Sequence, residues 1–274
     1  MCESILYRLY VCLVVKYVLI FYFFFVYKKM KINIKIVELF VMASSSKLSF
    51  LEGKNVLIFD TETTGLPDRV PGTKWGSASE YWPYNMNEKY ANARIVSIAW
   101  AFVRSYNRDT LSAESIKEYI RYPEGFTEIP TTEIHGISFQ QAQEKGVPMT
   151  DIIENCGLAD AILECDYIIG HNVMFDIHIL QNELFRLGND RVMECAIKLD
   201  KMKALGRTIC TGELGKDICQ LEFKSRGGKD TSRIKRFKMP KLKELHNHLI
   251  GAEHDDQHSA SGDVLALLNC LSKM

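Results

Sequence analysis

Short apolar runs divide the chain into predicted strands. Residues 55–59 form an apolar run rich in β-formers that ends at Asp60, and residues 95–102 form a second one. Residues 116–122 alternate between apolar and polar positions, as a half-exposed strand does. Residues 167–169 form one further short apolar run. The pattern therefore predicts three strands close together and a fourth strand later in the chain.

Helical spacing begins after the third predicted strand. Apolar positions between residues 152 and 162 recur at helical intervals, and residues 176–187 form an amphipathic pattern that Gly188 ends. We expect a long irregular stretch next and a last helix over residues 259–271. Residues 67–91 mix Pro, Gly, Ser, Trp and Tyr, which predicts a loop or an insertion. The order β-β-β-α-β-α predicts an α/β, ribonuclease H-like fold: a mixed β-sheet flanked by helices.

The first 50 residues differ from the rest of the chain. Residues 9–27 are almost wholly apolar and have about the length of a bilayer span, but Lys16 near their middle would cost about 2.5–3.5 kcal/mol on insertion. Met42 is an alternative start of translation. We interpret residues 1–50 as an N-terminal extension, either a membrane anchor or a non-native upstream segment, with the anchor less favoured. Residues 51–274 are expected to form the main domain.

Composition narrows the class of protein only slightly. With 47% hydrophobic and 25% charged residues, the chain is neither disordered nor fibrous, and it can bury one core. Its formal net charge of zero neither indicates nor excludes a polyanionic partner. The eight cysteines have no C-x-x-C pair and no zinc-site spacing. Reduced thiols in an intracellular protein of the cytoplasm or nucleus are therefore expected.

Acidic residues occur where predicted elements begin or end. Asp60 and Glu62 close the first strand and project to the same side, because strand side chains alternate. Their repulsion favours a bound cation, and oxygen donors select Mg²⁺ or Mn²⁺. Asp176 opens a helix after the fourth strand, and Asp263 opens the last helix five positions after His258. Taken singly, each has an ordinary explanation as an exposed strand end or a helix-capping residue.

Taken together, these motifs resemble the DEDDh family of 3′→5′ exonucleases, which includes polymerase proofreading domains, RNase T and oligoribonuclease. The resemblance covers residues 53–270. The residues that carry it are Asp60-Thr61-Glu62-Thr63-Thr64-Gly65-Leu66, Ile134-His135-Gly136-Ile137, Asn172-x-x-Phe175-Asp176, Lys241-Leu242-Lys243-Glu244-Leu245 and His258-x-x-x-x-Asp263.

The resemblance implies a metal-dependent exonuclease domain over residues 51–274 that releases nucleoside 5′-monophosphates. It implies two Mg²⁺ ions, with Mn²⁺ as a substitute. Asp60 would bridge both ions, Glu62 and Asp263 would hold one, and Asp176 would reach the other. His258 would be the general base that takes a proton from the attacking water.

The resemblance also implies a set of residues that grip the terminal nucleotide. They are Thr63, Gly65, Leu66, His135, Gly136 and Asn172. For Leu66, a place in the core is the alternative. His254 lies close to His258 in the sequence but lacks its spacing to an aspartate. His171 and His178 are expected to be structural.

A basic segment precedes the last motif. Residues 224–243 contain nine lysines and arginines and one acid, Asp230. Beside a phosphodiester-cleaving site we interpret this segment as an arm that grips the nucleic-acid backbone; a solvated loop is the alternative. The residues assigned to the arm are Arg226, Lys229, Arg233, Lys235, Arg236 and Lys238.

Three functions stay open at this level. The first is a DNA exonuclease of the proofreading or repair type, acting alone or with a polymerase, and Thr63-Thr64 leans slightly towards it. The second is an exoribonuclease that processes RNA 3′ ends. The third is a nucleic-acid-binding module without turnover. A module of that kind would be expected to have lost part of the acidic set, and the whole set is present.

Overall fold

The computed structural model describes residues 47–73, 78–223, 237–252, 254 and 258–274. The chain divides into the units Met1–Ser49 and Phe50–Met274, and the elements described below belong to the second unit. The apolar run 9–27 lies outside the described residues, so its interpretation stays a prediction. Within the described part of the chain, no helix has both the length and the apolar character needed to cross a membrane.

Five strands of the described residues form one mixed sheet. They are β1 (Val56–Thr63), β2 (Ile95–Val103), β3 (Ile116–Ile120), β4 (Tyr167–Gly170) and β5 (Thr208–Cys210). Their order across the sheet is β3-β2-β1-β4-β5. The β1–β2 and β2–β3 pairs are antiparallel, and the β1–β4 and β4–β5 pairs are parallel. The predicted α/β fold with a ribonuclease H-like mixed sheet is confirmed.

Helices flank this sheet. Those of the described residues are α1 (Thr132–His135), α2 (Phe139–Lys145), α3 (Met149–Glu154), α4 (Leu158–Glu164), α5 (Val173–Leu187), α6 (Asp190–Ala204), α7 (Thr211–Cys219), α8 (Leu242–Ile250) and α9 (Ala260–Leu271). Apolar residues of α3 to α6 form one core with Leu57, Phe59, Ile98 and Trp100 of β1 and β2. α9 packs against β1, β2 and β3.

The alternation of β1 separates the core from the acidic residues. Leu57 and Phe59 face the core formed with α3 to α6, so Asp60 and Glu62 project to the other side of the sheet. Asp60 pairs with Ala99, and Ala99 pairs with Glu118 of β3, so Glu118 shares the side of Asp60. α9 covers this side, where Ser261 donates a hydrogen bond to Glu118.

Some predicted boundaries move. β1 continues to Thr63, beyond its predicted end at Asp60, because its ladder with β2 runs on to the Thr63–Ile95 pair. α5 begins at Val173, three residues earlier than expected. α9 begins at Ala260 after the N-cap residue Ser259, which agrees with the predicted last helix.

The predicted irregular stretch after Gly188 is wrong, because α6, β5, α7 and α8 lie within it. Seven of the 15 residues of α6 are charged, which hides its apolar stripe. The buried residues of α6 are Val192, Cys195, Ala196, Leu199 and Met202, a helical spacing. The side chain of Asn189 caps this helix by accepting a hydrogen bond from the Val192 N–H at 3.1 Å.

The loop predicted over residues 67–91 is fixed against α5. The ring of Tyr81 stacks on His178 at 4.6 Å. The side-chain amide of Asn182 donates to the Tyr84 carbonyl at 2.7 Å, and Arg186 donates to the Asn87 carbonyl at 2.7 Å. Residues 74–77 of this loop lie outside the described residues. The described part of the loop therefore braces the helix that carries Asp176.

Candidate metal centre

Two carboxylates lie near the carboxyl end of β1. Asp60 is buried and Glu62 is half-buried. Thr61 lies between them and faces the opposite side of the sheet, where it pairs with the core residue Ile98. The ladder with β2 is irregular between Glu62 and Thr63, because these neighbours pair with Ser97 and Ile95 and leave Val96 of β2 as an extra residue.

Asp176 reaches this strand end from α5. Its Oδ1 atom accepts hydrogen bonds from the Thr61 N–H at 3.0 Å and from the Thr61 hydroxyl at 2.7 Å. Asn172, directly before α5, has a left-handed backbone with φ of 61°. Asp176 is buried and bonded to the main chain of β1 between Asp60 and Glu62. Its position is therefore set by β1 itself.

Asp263 lies in the first turn of α9, and His258 lies directly before the N-cap residue of this helix. α9 covers the side of the sheet to which Asp60 and Glu62 project, opposite α5. One ligand atom each from Glu62, His258 and Asp263 lie within 4.8 Å of one another. His258 is exposed and has a left-handed backbone with φ of 65°. Ser259 follows as the N-cap residue, and its hydroxyl accepts a hydrogen bond from the Gly262 N–H at 3.4 Å. Asp60 and Asp176 lie outside the 4.8 Å group.

We call Asp60, Glu62, Asp176 and Asp263 the carboxylate centre, because their charges act on one another. Burial, followed by the charges of Asp176, Asp263 and Glu62, raises the pKa of Asp60 well above its usual value. Burial and the charges of Asp263 and Asp176 raise the pKa of Glu62 to about 8. Burial raises the pKa of Asp263 to about 7. Burial also raises the pKa of Asp176 to about 7, although the Thr61 hydrogen bonds lower it.

This charge has little compensation from the protein. Among the described residues, no lysine or arginine forms an ion pair with the carboxylate centre. A histidine does contact it: His254 Nε2 lies 3.5 Å from Asp263 Oδ1. Clustered, partly buried carboxylates of this kind fit a divalent cation, which would offset their repulsion. The donor set is mainly carboxylate oxygen, the chemistry preferred by Mg²⁺ and Mn²⁺.

Two histidines flank Asp263. His254 is nearly buried, and its ring meets His246 edge-on at 5.6 Å. His258, the predicted general base, is exposed and belongs to the close group with Glu62 and Asp263. Sequence spacing favoured His258, and it gave no sign that His254 also contacts Asp263.

Of the two histidines expected to be structural, His178 is buried and His171 is half-buried. The ring nitrogens of His171 bond with the Thr211 hydroxyl and the Pro240 carbonyl, both at 3.0 Å. Burial lowers the pKa of His171 to about 4. Burial also lowers the pKa of His178, which stacks on Tyr81, to about 3. Both therefore stay neutral at physiological pH.

The last residue of β1 and the loop that follows it contain three of the predicted substrate residues. A Cβ atom at Gly65 would lie 2.8 Å from the Asn92 carbonyl oxygen, so this close approach requires glycine. The Thr63 hydroxyl donates to the Gly65 carbonyl at 2.8 Å and is used within the loop. Leu66 is 62% exposed, so the alternative that Leu66 belongs to the core is wrong.

His135, another predicted substrate residue, is bonded at both ring nitrogens. Its Nδ1 atom accepts from the Ile137 N–H at 3.1 Å, so Nε2 carries the proton of the neutral ring and donates to the Thr131 hydroxyl at 2.9 Å. Thr131 donates in turn to the Thr63 carbonyl at 2.6 Å. His135 therefore ties the end of α1 to β1. Gly136 ends α1 with φ of 75°.

The remaining predicted residues stand apart from these contacts. The Asn172 N–H donates to the Cys210 sulfur at 3.2 Å. Lys238 pairs with Glu244 at 2.8 Å, so the charge of this arm residue is already matched within the protein. The other residues of the predicted arm lie outside the described residues: Arg226, Lys229, Arg233, Lys235 and Arg236.

Two residues near the carboxylate centre were missed from the sequence. Thr61 holds Asp176, as described above. Glu118 of β3 accepts hydrogen bonds from the Ser97 hydroxyl and from Ser261 of α9. Its charge adds to the rise in the pKa of Glu62. The alternation of β3 indicates the side on which it lies, but only the register of the sheet brings it into the row of Asp60, with Ala99 between them.

Comparison with known proteins gives a likeness in fold. No protein-family model and no curated protein matches the chain. Escherichia coli exonuclease I, in a zinc-bound complex with single-stranded DNA, matches 78% of this chain with a TM-score of 0.50 and 18% identity. The fold is shared with exonuclease I. A second structure of exonuclease I gives the same coverage, TM-score and identity.

The likeness covers only part of exonuclease I. The matched region spans 39% of the exonuclease I chain, and at 18% identity it concerns the fold alone. It agrees with the ribonuclease H-like sheet predicted from the sequence.

Proposed function

We propose that the domain is a metal-dependent 3′→5′ exonuclease that hydrolyses phosphodiester bonds at the 3′ end of DNA and releases nucleoside 5′-monophosphates. One observation carries the proposal. Glu62 and Asp263 come from opposite ends of the domain, yet their ligand atoms and that of His258 lie within 4.8 Å of one another. Buried Asp60 and Asp176 complete the acidic set, and the fold shared with exonuclease I supports the same activity.

The carboxylate centre would hold two Mg²⁺ ions, with Mn²⁺ as a substitute. When bound, the ions would supply the positive charge that stabilises the phosphate during the displacement. The protein contributes the fixed positions of the four carboxylates. Asp176 is held by two hydrogen bonds from Thr61, so a ligand oxygen is aimed before the metal arrives.

His258 is the proposed general base. It lies within ligand distance of Glu62 and Asp263, and its ring is exposed. A ring nitrogen can therefore take a proton from the attacking water and pass it to solvent. His254 is the second candidate, because it also contacts Asp263, but its ring is nearly buried.

The substrate end would contact the loop after Glu62. Leu66 offers an exposed apolar side chain to a base, and Gly65 allows close approach of the backbone. His135 and Thr63 are bonded internally, so we assign them to shaping this surface. Gly136 and Asn172 stay proposed contacts.

The choice of polymer is part of the proposal. Exonuclease I has been observed with single-stranded DNA, and this favours DNA for the chain that shares its fold. Exoribonuclease activity is the alternative, and a partner polymerase stays a proposal. If residues 224–243 form a phosphate-binding arm, binding should fall steeply with added salt and show weak sequence preference. A flat salt response would argue against the arm.

A digestion assay tests the activity. The parent, Asp60→Ala and His258→Ala are incubated with 5′-labelled DNA and RNA oligonucleotides, with Mg²⁺, with Mn²⁺ or with EDTA. We expect stepwise shortening from the 3′ end by the parent alone, and none with EDTA. His248→Ala is the matched control, because it removes an exposed histidine from α8. Equal digestion by parent and variants, or none by the parent, would refute the proposal.

A further inference from the structure

Glu118 lies beside the carboxylate centre but belongs to none of the sequence motifs. It sits on β3 in the same row of the sheet as Asp60, with Ala99 between them. Residues in one row project to the same side, so Glu118 faces the start of α9.

One carboxylate joins this helix start to the sheet. Glu118 Oε2 accepts from the Ser261 hydroxyl at 2.7 Å, and Oε1 accepts from the Ser261 N–H at 3.3 Å. Glu118 Oε1 also accepts from the Ser97 hydroxyl of β2 at 3.3 Å. The Ser261 N–H belongs to the first turn of α9, where backbone donors have no partner inside the helix. Glu118 therefore supplies an acceptor from another element.

Ser261, the residue that Glu118 bonds, lies between His258 and Asp263. Ser261 is three residues after His258 and two before Asp263, and its hydroxyl lies 3.1 Å from that of Ser259. His258 has a left-handed backbone, which a residue other than glycine keeps only when its surroundings hold it. The hydrogen bonds from Ser261 to Glu118 hold the helix turn that follows His258.

We propose that Glu118 is a positioning residue: it fixes the first turn of α9, and thereby the positions of His258 and Asp263 relative to Glu62. It acts through Ser261 and contacts no substrate. The inference rests on the proposed function for its kinetic readout, and metal binding gives a second readout that does not.

Four variants test the role of Glu118. Glu118→Ala removes both acceptors, Glu118→Gln keeps one acceptor oxygen, and Ser261→Ala removes one hydroxyl with little effect on folding. Glu154→Ala is the matched control, because Glu154 also bonds the start of a helix, through Asn189 before α6. Each variant is assayed for kcat and KM on a 5′-labelled oligonucleotide and for Mn²⁺ affinity by calorimetry.

We expect Glu118→Ala to lower kcat by about 10–100-fold and to leave KM within about twofold, because residues that hold metal ligands in place from outside the ligand set have effects of this size. Glu118→Gln should recover most of that loss. Ser261→Ala should lower kcat less, and combining it with Glu118→Ala should add little, since both remove the same contact. Glu154→Ala should behave as the parent.

The inference fails if Glu118→Ala keeps the parent kcat, if Glu118→Gln loses as much as Glu118→Ala, or if Glu154→Ala loses as much. If the parent digests no oligonucleotide, the proposed function fails, and Mn²⁺ affinity decides the inference. Affinity about 10-fold weaker in Glu118→Ala and restored in Glu118→Gln supports it. Equal affinity in parent and Glu118→Ala, or a parent that binds no Mn²⁺, overturns it.

Discussion

Two helix starts bring side chains to the carboxylate centre, and they are held in different ways. Each follows a non-glycine residue with a left-handed backbone, Asn172 before α5 and His258 before α9. At α5, buried Asp176 is bonded to the main chain and the side chain of Thr61. At α9, His258 is exposed, and the first turn is held by the side chain of Glu118.

Because the two helix starts are held differently, we expect the contacts at α5 and those at α9 to contribute differently to stability and activity. Asp176 cannot shift without disturbing β1, the strand that carries Asp60 and Glu62, so the α5 side is a fixed reference for the proposed metal site. The α9 side depends on exposed side chains, at the surface where water and substrate would arrive in the proposed reaction. Substitutions at α5 should therefore change both stability and activity, whereas those at α9 should change activity more than stability.

The largest effect is expected at the exposed side. His258→Ala should lower kcat by about 10²–10⁴-fold, the usual contribution of a general base, and leave the melting temperature nearly unchanged because the ring is exposed. Steady-state kinetics and thermal denaturation measure the two quantities. His254→Ala is the comparison variant, and a larger loss of kcat in that protein would transfer the role of general base to His254.

A smaller loss of activity, joined to a loss of stability, is expected at the fixed side. Thr61→Val removes the hydroxyl that bonds Asp176 and keeps the shape of the side chain. The free energy of unfolding should fall by about 1–3 kcal/mol, because a buried charged acceptor loses a partner. The kcat should fall by about 10–100-fold. Urea denaturation and kinetics check both.

Thr110→Val is the control for this prediction, because its hydroxyl bonds a backbone carbonyl at the surface. A Thr61→Val protein with full activity and lowered stability would contradict the prediction that the bond to Asp176 supports both activity and stability.

The smallest expected effect is a pH dependence of the metal-free protein. The pKa values of Asp176 and Asp263 are raised to about 7 and that of Glu62 to about 8. A carboxyl with a raised pKa binds more protons in the folded state, so its contribution to stability is full at acid pH and is lost as the pH rises through these values. Between pH 6 and 8 we expect the free energy of unfolding to fall by on the order of 1 kcal/mol for each group.

Chemical denaturation in EDTA at the two pH values measures this fall, and excess Mg²⁺ should reverse it by binding the ionised carboxylates. A metal-free stability that rises between pH 6 and 8 would contradict the assignment. Asp263→Asn should reduce the slope, because it removes one of the titrating groups.

Sequence reasoning reached the parts of the site that depend on local pattern. Strand alternation put Asp60 and Glu62 on one side of β1, and helix-start signals put Asp176 and Asp263 in first turns. The mixed sheet followed from the order of the strands. These features are fixed by neighbours in the sequence, so the residues themselves reveal them.

The features that were missed depend on distant partners. The alternation of β3 gives the side on which Glu118 lies, but its row in the sheet depends on pairing with β2. The hydrogen bond between Thr61 and Asp176 joins positions separated by 115 residues, and no pattern in the sequence around either residue predicts it. α6 was missed for another reason: its polar residues outnumber its apolar stripe.

The packing of α9 on the sheet has a consequence for how the protein matures. β1 lies near the beginning of the domain, and α9 follows more than 200 positions later. Contacts between such distant positions form late, because closing the intervening chain costs entropy before the contact repays it. A partly folded molecule can thus have its sheet in place before α9 brings His258 and Asp263 to it, so the proposed nuclease activity should appear only when folding is complete.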